Sequence, residues 1–296
     1  MISLRAKLMK KALQNSIKPL LSPHTSIKTQ RLLTDIGLRM NLLPLGTHIT
    51  PVDIDGLNAE WIANKHHNST DTIILYLHGG AYNIGSTKSH RNLTSHLAKA
   101  SEATILLLDY RLAPEHPYPA ALTDAVKAYK WLIDCGHLAE DIVIVGDSAG
   151  GGLAVATALS LKDEGLQMPR ALGLISPWAD MTMSGESVKS KADLDPMIRK
   201  DWLDAMINNY ATDLPPDSPL CSPIYADLEG LPPVYIQVGS DEILLDDAVR
   251  LAQRIESSGG RVNLDVWEDM WHVWHFQAGL IPEANKAIEQ MADHLA

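Results

Sequence analysis

From residue 72 onward, short apolar runs alternate along the chain with stretches that have helical periodicity. The runs are almost continuously apolar, a pattern typical of strands buried on both faces of a mostly parallel sheet. They span 72–77, 104–108, 142–145, 171–175, 234–238 and 262–267. The helical patterns between them lie at about 87–100, 120–135, 149–164, 245–258 and 283–295. This alternation predicts an α/β fold in which helices cover the sheet.

Other parts of the chain depart from the alternation. Residues 47–53 and 59–63 predict antiparallel edge strands, whereas residues 1–45 are mostly helical in pattern. Residues 181–222 interrupt the alternation between two strands, and an insertion at the carboxyl end of a parallel sheet lies where such sheets bind ligands. We therefore expect one catalytic domain of residues 46–296, covered by a helical cap made from residues 1–45 and from an insertion at about 181–222.

Composition supports a globular chain and excludes several functions. Hydrophobic residues make up 46% of the 296 residues and charged residues 21%, which suits a domain with a sizeable core. The net charge of −11 argues against a nucleic-acid partner. Cys135 and Cys221 form neither a disulfide framework nor a metal-ligand spacing. A cytoplasmic location follows by default, and no secretory signal is recognised.

Positive charge is concentrated at the start of the chain. Residues 1–50 carry eight Lys or Arg and one acid, Asp35, whereas the rest carries 17 Lys or Arg and 35 acids. The first helix could lie on a membrane, act as a transit peptide, or pack over the domain with its lysines in water. We favour the packed helix. No run of about 18 apolar residues exists, so a stable membrane anchor is not expected.

A glycine-flanked serine is the strongest chemical signal. Residues 146–150 read G-D-S-A-G, follow an apolar run and open a helical pattern. In this strand–turn–helix context the turn is tight and holds a nucleophile above the sheet, which makes Ser148 the candidate nucleophile and Gly146 and Gly150 its structural support. The amide of Ala149 would point at the helix N-terminus, which favours an anion. A phosphate-binding turn is the alternative, but its glycine motifs are missing.

The run at 72–77 is followed by His78-Gly79-Gly80-Ala81. In hydrolases with this type of serine, such a loop supplies backbone donors for the oxyanion, and one donor stabilises the transition state by roughly 2.7–4 kcal/mol. We predict an oxyanion hole of Gly79, Gly80, Ala81 and Ala149, in which Gly79 mainly provides the bend. His78 is interpreted as a structural residue that holds the loop.

A serine needs a base, and the base needs an orienting acid. In this fold the acid and then the histidine follow the serine along the chain. Asp241 comes directly after the run at 234–238 and is the predicted acid, with Glu242 as its nearest rival. Two further acids, Asp246 and Asp247, fit the first turn of the next helix.

The base is expected after the last apolar run, where His272 lies. His275 is the rival base. The H-x-x-H spacing of these two residues could also suggest a metal, but a third ligand and an H-E-x-x-H motif are missing. No cofactor and no metal are predicted.

These pieces together resemble the bacterial hormone-sensitive-lipase-like family of esterases. The resemblance covers about residues 55–295. It rests on six segments in the family's order, LYLHGGAYNIGS, LLLDYRLAPEHPYPAAL, VGDSAGGGLA, ISPWADMT, GSDEILLDD and MWHVWH. It implies an α/β-hydrolase fold with an eight-stranded sheet and a helical cap, and hydrolysis of carboxylic esters with short to medium acyl chains.

The same resemblance implies roles for individual residues. Ser148 would be the nucleophile, Asp241 the acid and His272 the base, and the substrate a small-molecule ester. Arg111 and Glu115 would pair to hold a loop. Ala81 departs from the family, which commonly has Gly there, and this would narrow the space near the acyl group. A homodimer is compatible with the family. A lactonase, amidase or deacetylase could use the same site, and a non-catalytic ligand-binding protein is the alternative from another class.

Overall fold

A computed structural model describes residues 2–39, 43–64 and 71–295. Within them, one sheet of eight strands runs in the order β1-β2-β4-β3-β5-β6-β7-β8. Both neighbours of β2 are antiparallel to it, and every other neighbouring pair is parallel. The strands are β1 (Thr47–Asp53), β2 (Asn58–Asn64), β3 (Ile73–Leu77), β4 (Thr104–Leu108), β5 (Ile142–Asp147), β6 (Ala171–Ile175), β7 (Val234–Gly239) and β8 (Val262–Trp267).

The described residues also form nine α-helices. They are α1 (Leu4–Leu20), α2 (Ile27–Arg39), α3 (Thr87–Ser101), α4 (Ala120–Asp134), α5 (Ala149–Asp163), α6 (Ser187–Ser190), α7 (Lys200–Tyr210), α8 (Leu245–Ser257) and α9 (Pro282–Leu295). Alternate residues of the central strands pack against α4, α5 and α8 on one face and against α3 and α9 on the other. Within the same residues, no helix has both the length and the apolar character that crossing a membrane requires.

The predicted fold class is confirmed. Every residue of β3 and β5 is buried, because each side chain faces a layer of helices whichever way it points. The strand–helix alternation seen from residue 72 onward is the alternation of this α/β-hydrolase sheet with its crossover helices.

Helix α1 is held against the last part of the chain. The Ser3 hydroxyl accepts a hydrogen bond from the Ala6 amide at the N-cap, and the Ser3 amide and hydroxyl both donate to Glu283 of α9. Ala6 and Leu13 pack in a separate apolar cluster with residues from the segment between β8 and α9, namely Met270, Trp271, Trp274 and Ile281. Helix α1 therefore packs against residues that lie more than 250 positions later in the sequence, across the carboxyl edge of the sheet.

Helix α2 contacts the insertion between β6 and β7. The Trp202 indole on α7 donates to the Gln30 side chain on α2 over 2.8 Å. Arg31 of α2 binds Glu115, the residue expected to pair with Arg111. Arg111 instead binds Asp124 of α4, so the expected Arg111–Glu115 pair is wrong. Tertiary packing therefore decides both pairings: α2 brings Arg31 to Glu115, and α4 brings Asp124 to Arg111, although Glu115 is closer to Arg111 in sequence.

Candidate active site

Ser148 lies in the sharp turn between β5 and α5. Its backbone has φ 53° and ψ −121°, a conformation that non-glycine residues rarely adopt and that strained functional turns often contain. A Cβ on Gly146 would lie 2.2 Å from the Gly150 carbonyl oxygen, and one on Gly150 only 1.9 Å from the carbonyl oxygen of Leu77. Only glycine fits these two positions, and the serine hydroxyl is thereby held above the end of the sheet.

The imidazole of His272 bridges two side chains at this edge. Its Nε2 lies 2.9 Å from the Ser148 hydroxyl oxygen, and its Nδ1 lies 2.7 Å from the Glu242 carboxylate. All three side chains are buried. The following residue, Val273, donates its amide to the Ser176 hydroxyl, which fixes the loop that carries the imidazole.

Glu242, and not the predicted Asp241, is the acid on His272. One Glu242 oxygen accepts hydrogen bonds from the Gly239 amide at 2.6 Å and the Ser176 hydroxyl at 2.8 Å, which leaves the other for the imidazole. Asp241 forms an ion pair with Lys10 of α1. The prediction of Asp241 as the partner of His272 is therefore corrected.

The reason lies in the turn after β7. The Asp241 amide donates to the Met270 carbonyl, and its side chain is directed away from the sheet to α1. Glu242 comes one residue later, so its side chain points in another direction. It lies against the end of β7, where its carboxylate binds the Gly239 amide and the buried His272 imidazole. Both acids follow the strand, and nothing in the local sequence separates them.

Opposing effects act on the pKa of the His272 imidazole. Burial lowers the pKa of His272, but the hydrogen bond and charge of Glu242 raise it, with smaller contributions from the charges of Asp195 and Asp147. The net result is a pKa above the ordinary value of histidine. The site therefore stabilises the imidazolium that forms when His272 accepts a proton.

Asp195 is a second acid near the imidazole that the sequence did not reveal. It belongs to the insertion, is fully buried, and accepts hydrogen bonds from the amides of Met197, Ile198 and Ile243. Burial raises the pKa of Asp195, although these amides and His272 oppose the rise. Because Ile243 directly follows Glu242, the Asp195 carboxylate joins the insertion to the turn that carries the acid.

The predicted donor amides of Gly80, Ala81 and Ala149 lie in the two loops beside Ser148, and none of them donates to an acceptor among the described residues. Gly80 and Ala81 have positive φ values of 116° and 52°, so their peptide planes are turned relative to an extended strand. A Cβ on Gly80 would lie 2.2 Å from the carbonyl oxygen of Ile84.

Gly79 differs from the other predicted donors, because its amide already has a partner. It donates to the Asp147 carboxylate at 3.0 Å. Its predicted place among the oxyanion donors is therefore corrected, whereas its part in the bend agrees with the tight contact that a Cβ would make with Asp147, at 2.2 Å.

Behind this loop lies a buried polar cluster. The His78 ring stacks on Tyr110 at 4.1 Å, and its Nδ1 lies 2.8 Å from the Gly79 carbonyl oxygen. Burial lowers the pKa of His78 to about 3, so the ring is neutral. Asp147 accepts a hydrogen bond from Tyr76 and lies 3.4 Å from His90. These contacts give His78 and Asp147 a role in holding the loop in place.

The rival residues have other partners. His275 Nε2 lies 2.8 Å from the Gln237 side-chain oxygen, and burial lowers the pKa of His275 to about 3. Asp246 and Asp247 lie in the first turn of α8, where Asp247 accepts the amides of Ala179 and Asp180. No group of three metal-binding side chains occurs among residues 2–39, 43–64 and 71–295.

A cavity of about 270 Å³ opens beside Ser148 and His272. Its walls are mostly apolar, and α1 and α2 provide one side while the insertion and the loop after His272 provide the others. The apolar side chains include Met9, Leu13, Ile17, Leu33, Leu38, Met197, Trp202 and Phe276. Such a cavity suits the hydrocarbon part of a small ester better than a charged substrate.

Comparison with known proteins gives concordant matches. Residues 74–276 match the family of the alpha/beta hydrolase fold. The chain is 42% identical to an acetyl-hydrolase of Streptomyces hygroscopicus over 80% of this chain and 79% of that protein. It is 38% identical to an esterase of Acinetobacter venetianus, over 83% and 80%. A crystal structure of an esterase from the bacterial hormone-sensitive lipase family superposes with a TM-score of 0.95 at 39% identity, covering 100% of this chain and 98% of that one.

Proposed function

This chain belongs to the α/β-hydrolase fold family and, within it, to the bacterial hormone-sensitive-lipase-like esterases, and from that premise we propose a serine carboxylesterase. In this proposal Ser148 is the nucleophile, His272 the base and Glu242 the acid that orients the base. The observation that carries it is the buried series of hydrogen bonds from the Ser148 hydroxyl through His272 to Glu242. The amides of Gly80, Ala81 and Ala149, which have no acceptor in the described part of the chain, also support it.

Acylation begins as His272 Nε2 accepts the Ser148 proton while the hydroxyl oxygen attacks the ester carbonyl carbon. Negative charge builds on the carbonyl oxygen, and the amides of Gly80, Ala81 and Ala149 donate to it. The tetrahedral intermediate then collapses. The alcohol leaves with the proton from His272, and the acyl group stays on Ser148.

Deacylation repeats these steps with water as the nucleophile. His272 accepts a proton from water, the carboxylic acid leaves, and the Ser148 hydroxyl is restored. Glu242 accepts the Nδ1 hydrogen bond throughout, so the unprotonated Nε2 of neutral His272 faces Ser148, and the carboxylate stabilises the imidazolium in each half of the cycle.

We also propose that residues 1–45 and the insertion at about 181–222 form a cap over the catalytic domain of residues 46–296. Support comes from the cavity, which both segments line, and from the Gln30–Trp202 hydrogen bond between them. The cavity's size favours a small-molecule ester with a short to medium acyl chain. A cytoplasmic location and a homodimer stay predictions.

Ser148→Ala tests the proposal. We expect kcat for p-nitrophenyl butyrate to fall on the order of 10⁶-fold, by analogy with removal of a protease nucleophile. A fluorophosphonate should add one adduct to the wild type and none to the variant, as measured by intact mass. Ser160→Ala, on the same helix away from the cavity, is the matched control and should react like the wild type. A Ser148→Ala enzyme that keeps more than about a hundredth of the wild-type rate would refute the assignment.

A further inference from the structure

We propose that the exposed sides of α1 and α2 form a docking surface for anionic lipid bilayers, which brings the mouth of the active-site cavity onto the lipid. The inference rests on the proposed function only for the purpose of this contact, which is to let an ester enter the cavity from the lipid layer. The docking itself depends on exposed apolar and basic side chains and can be measured without catalysis.

Two apolar rows mark this surface. Leu4 and Leu8 on α1 are 72% and 63% exposed, and Leu32 and Ile36 on α2 are 58% and 50% exposed. A spacing of four residues places the members of each pair one above the other on the same helix face. Single exposed leucines are common on soluble proteins, but apolar residues grouped in rows mark an interaction surface.

Both rows lie beside the cavity mouth. Ala12 continues the Leu4–Leu8 spacing along α1 and lines the cavity. On α2, Leu33 and Gly37 follow Leu32 and Ile36 directly in the sequence, and they line the cavity as well. A surface that covered the two rows would therefore also face the opening that leads to Ser148.

Basic side chains accompany the rows. Lys10 and Arg31 form ion pairs and Lys18 binds backbone carbonyls, so these three are engaged within the protein. Four others are exposed and form no ion pair or hydrogen bond with any described residue, namely Arg5, Lys7, Lys11 and Lys28. Basic residues at an apolar helix face attract anionic lipid headgroups and let the apolar side chains enter the interface.

The uneven distribution of charge along the chain favours an anionic bilayer as the partner of this surface. Residues 1–50 carry eight basic residues against one acid, whereas the remaining chain carries 17 against 35. An anionic bilayer attracts this face and repels the others, so it orients the molecule with the cavity toward the lipid. A two-fold dimer through the same face would bring the basic groups of both copies together, which disfavours a second copy as the occupant.

Vesicle binding of the full chain tests the proposal. Binding is measured by co-sedimentation with phosphatidylcholine vesicles that contain or lack phosphatidylglycerol. We expect the wild type to bind the anionic vesicles preferentially, and Leu4→Ser/Leu8→Ser and Leu32→Ser/Ile36→Ser each to lower the partition coefficient about tenfold. Lys7→Glu/Lys11→Glu should lower binding to anionic vesicles by a similar factor and remove most of the preference for them.

The matched control is Leu138→Ser/Leu166→Ser. These two leucines are also exposed but precede the amino ends of β5 and β6, at the sheet edge opposite Ser148. The control should bind vesicles like the wild type. All these variants should hydrolyse dissolved p-nitrophenyl butyrate at the wild-type rate, which shows that they are folded, and Ser148→Ala should bind vesicles normally even though it is inactive.

Two outcomes would overturn the docking surface. One is equal vesicle binding by the wild type, the row variants and the control. The other is a wild-type dimer that becomes a monomer in the row variants, measured by analytical ultracentrifugation, since the rows would then be covered by a second copy. Normal vesicle binding without ester hydrolysis by the wild type would instead contradict the proposed function and leave the docking surface standing.

Discussion

At the scale of single residues, the adjacent acids Asp241 and Glu242 have different partners. Glu242 is fully buried against His272, and Asp241 pairs with Lys10 at the surface side of the turn. The proposed chemistry depends on the buried acid, since the imidazolium that forms during each half of the reaction needs a negative charge close to Nδ1.

Exchanging each acid for its amide separates their roles. We expect Glu242→Gln to lower kcat for p-nitrophenyl butyrate by about 10⁴-fold, the effect of an amide in place of the triad acid in a serine protease. Asp241→Asn is the matched variant, and its kcat should stay within about threefold of the wild type because a partly exposed ion pair contributes little. Steady-state kinetics of both variants measures the difference. The reverse ranking would contradict the assignment of Glu242.

The two glycines around Ser148 carry a prediction about stability. Gly150→Ala would place a methyl group against the Leu77 carbonyl, and we expect it to lower the free energy of unfolding by about 3 kcal/mol or more. Gly37→Ala in α2 is the control, because no described atom outside its own helix backbone lies within 4 Å of the added carbon. It should be neutral or stabilise by up to about 1 kcal/mol. Urea unfolding measures both, and equal stability of the two variants would exclude a steric role for Gly150.

At the scale of elements, strands and helices were predictable because burial on two faces leaves a strong pattern in the sequence. The run at 171–175 coincides with β6, and the helical pattern expected at about 245–258 becomes α8 from Leu245 to Ser257. The turn around Ser148 was predictable as well, since its glycines meet a local steric need. The partner of His272 was not, because it depends on how the turn after β7 packs against α1, more than two hundred residues away in sequence.

Asp195, in the insertion, is a second residue whose place near His272 could not be predicted from the sequence. Its carboxylate binds the amide of Ile243 and contributes to the raised pKa of His272. No local motif marks it, since the amides that it binds come from a distant turn and from the bend of its own loop. It therefore links the insertion, which lies outside the sheet, to the electrostatics of the His272 imidazole.

Asp195→Asn should change the pH profile in a definite direction. In the proposed mechanism His272 accepts a proton only when it is neutral, so activity is expected to fall as the pH drops below its pKa. Removing a negative charge that raises this pKa should move the acidic limb of kcat/KM to lower pH. Asp204→Asn on α7 removes an exposed acid from the same insertion and should leave the limb in place. An unmoved limb in Asp195→Asn would show that the carboxylate does not act on the base.

At the scale of the whole molecule, the cavity limits the substrate. Its volume of about 270 Å³ lies just below the range of roughly 300–1,000 Å³ that holds drug-sized ligands. A butyryl or hexanoyl group fits such a space, whereas a palmitoyl chain would have to extend beyond it.

We therefore expect kcat/KM for p-nitrophenyl esters to be highest for butyrate to octanoate and to fall at least tenfold at palmitate. Trp202→Ala, which removes a large side chain from the wall, should shift the optimum to longer chains. Met168→Ala, a change away from the cavity lining, should keep the wild-type optimum. Rates that rise steadily up to palmitate in the wild type would contradict a cavity of this size.

The contact of α1 with Met270, Trp271 and Trp274 also sets an order of events during synthesis. The ribosome makes α1 and α2 before every strand of the sheet, yet the side chains on which α1 packs leave the exit tunnel almost last. Until then Ala6 and Leu13, the buried residues of α1, lack the buried side chains that they pack against. The part of the cavity wall that α1 forms must therefore assemble after translation of the loop that carries His272. The His272 imidazole and this wall beside Ser148 thus become available at the same stage of synthesis.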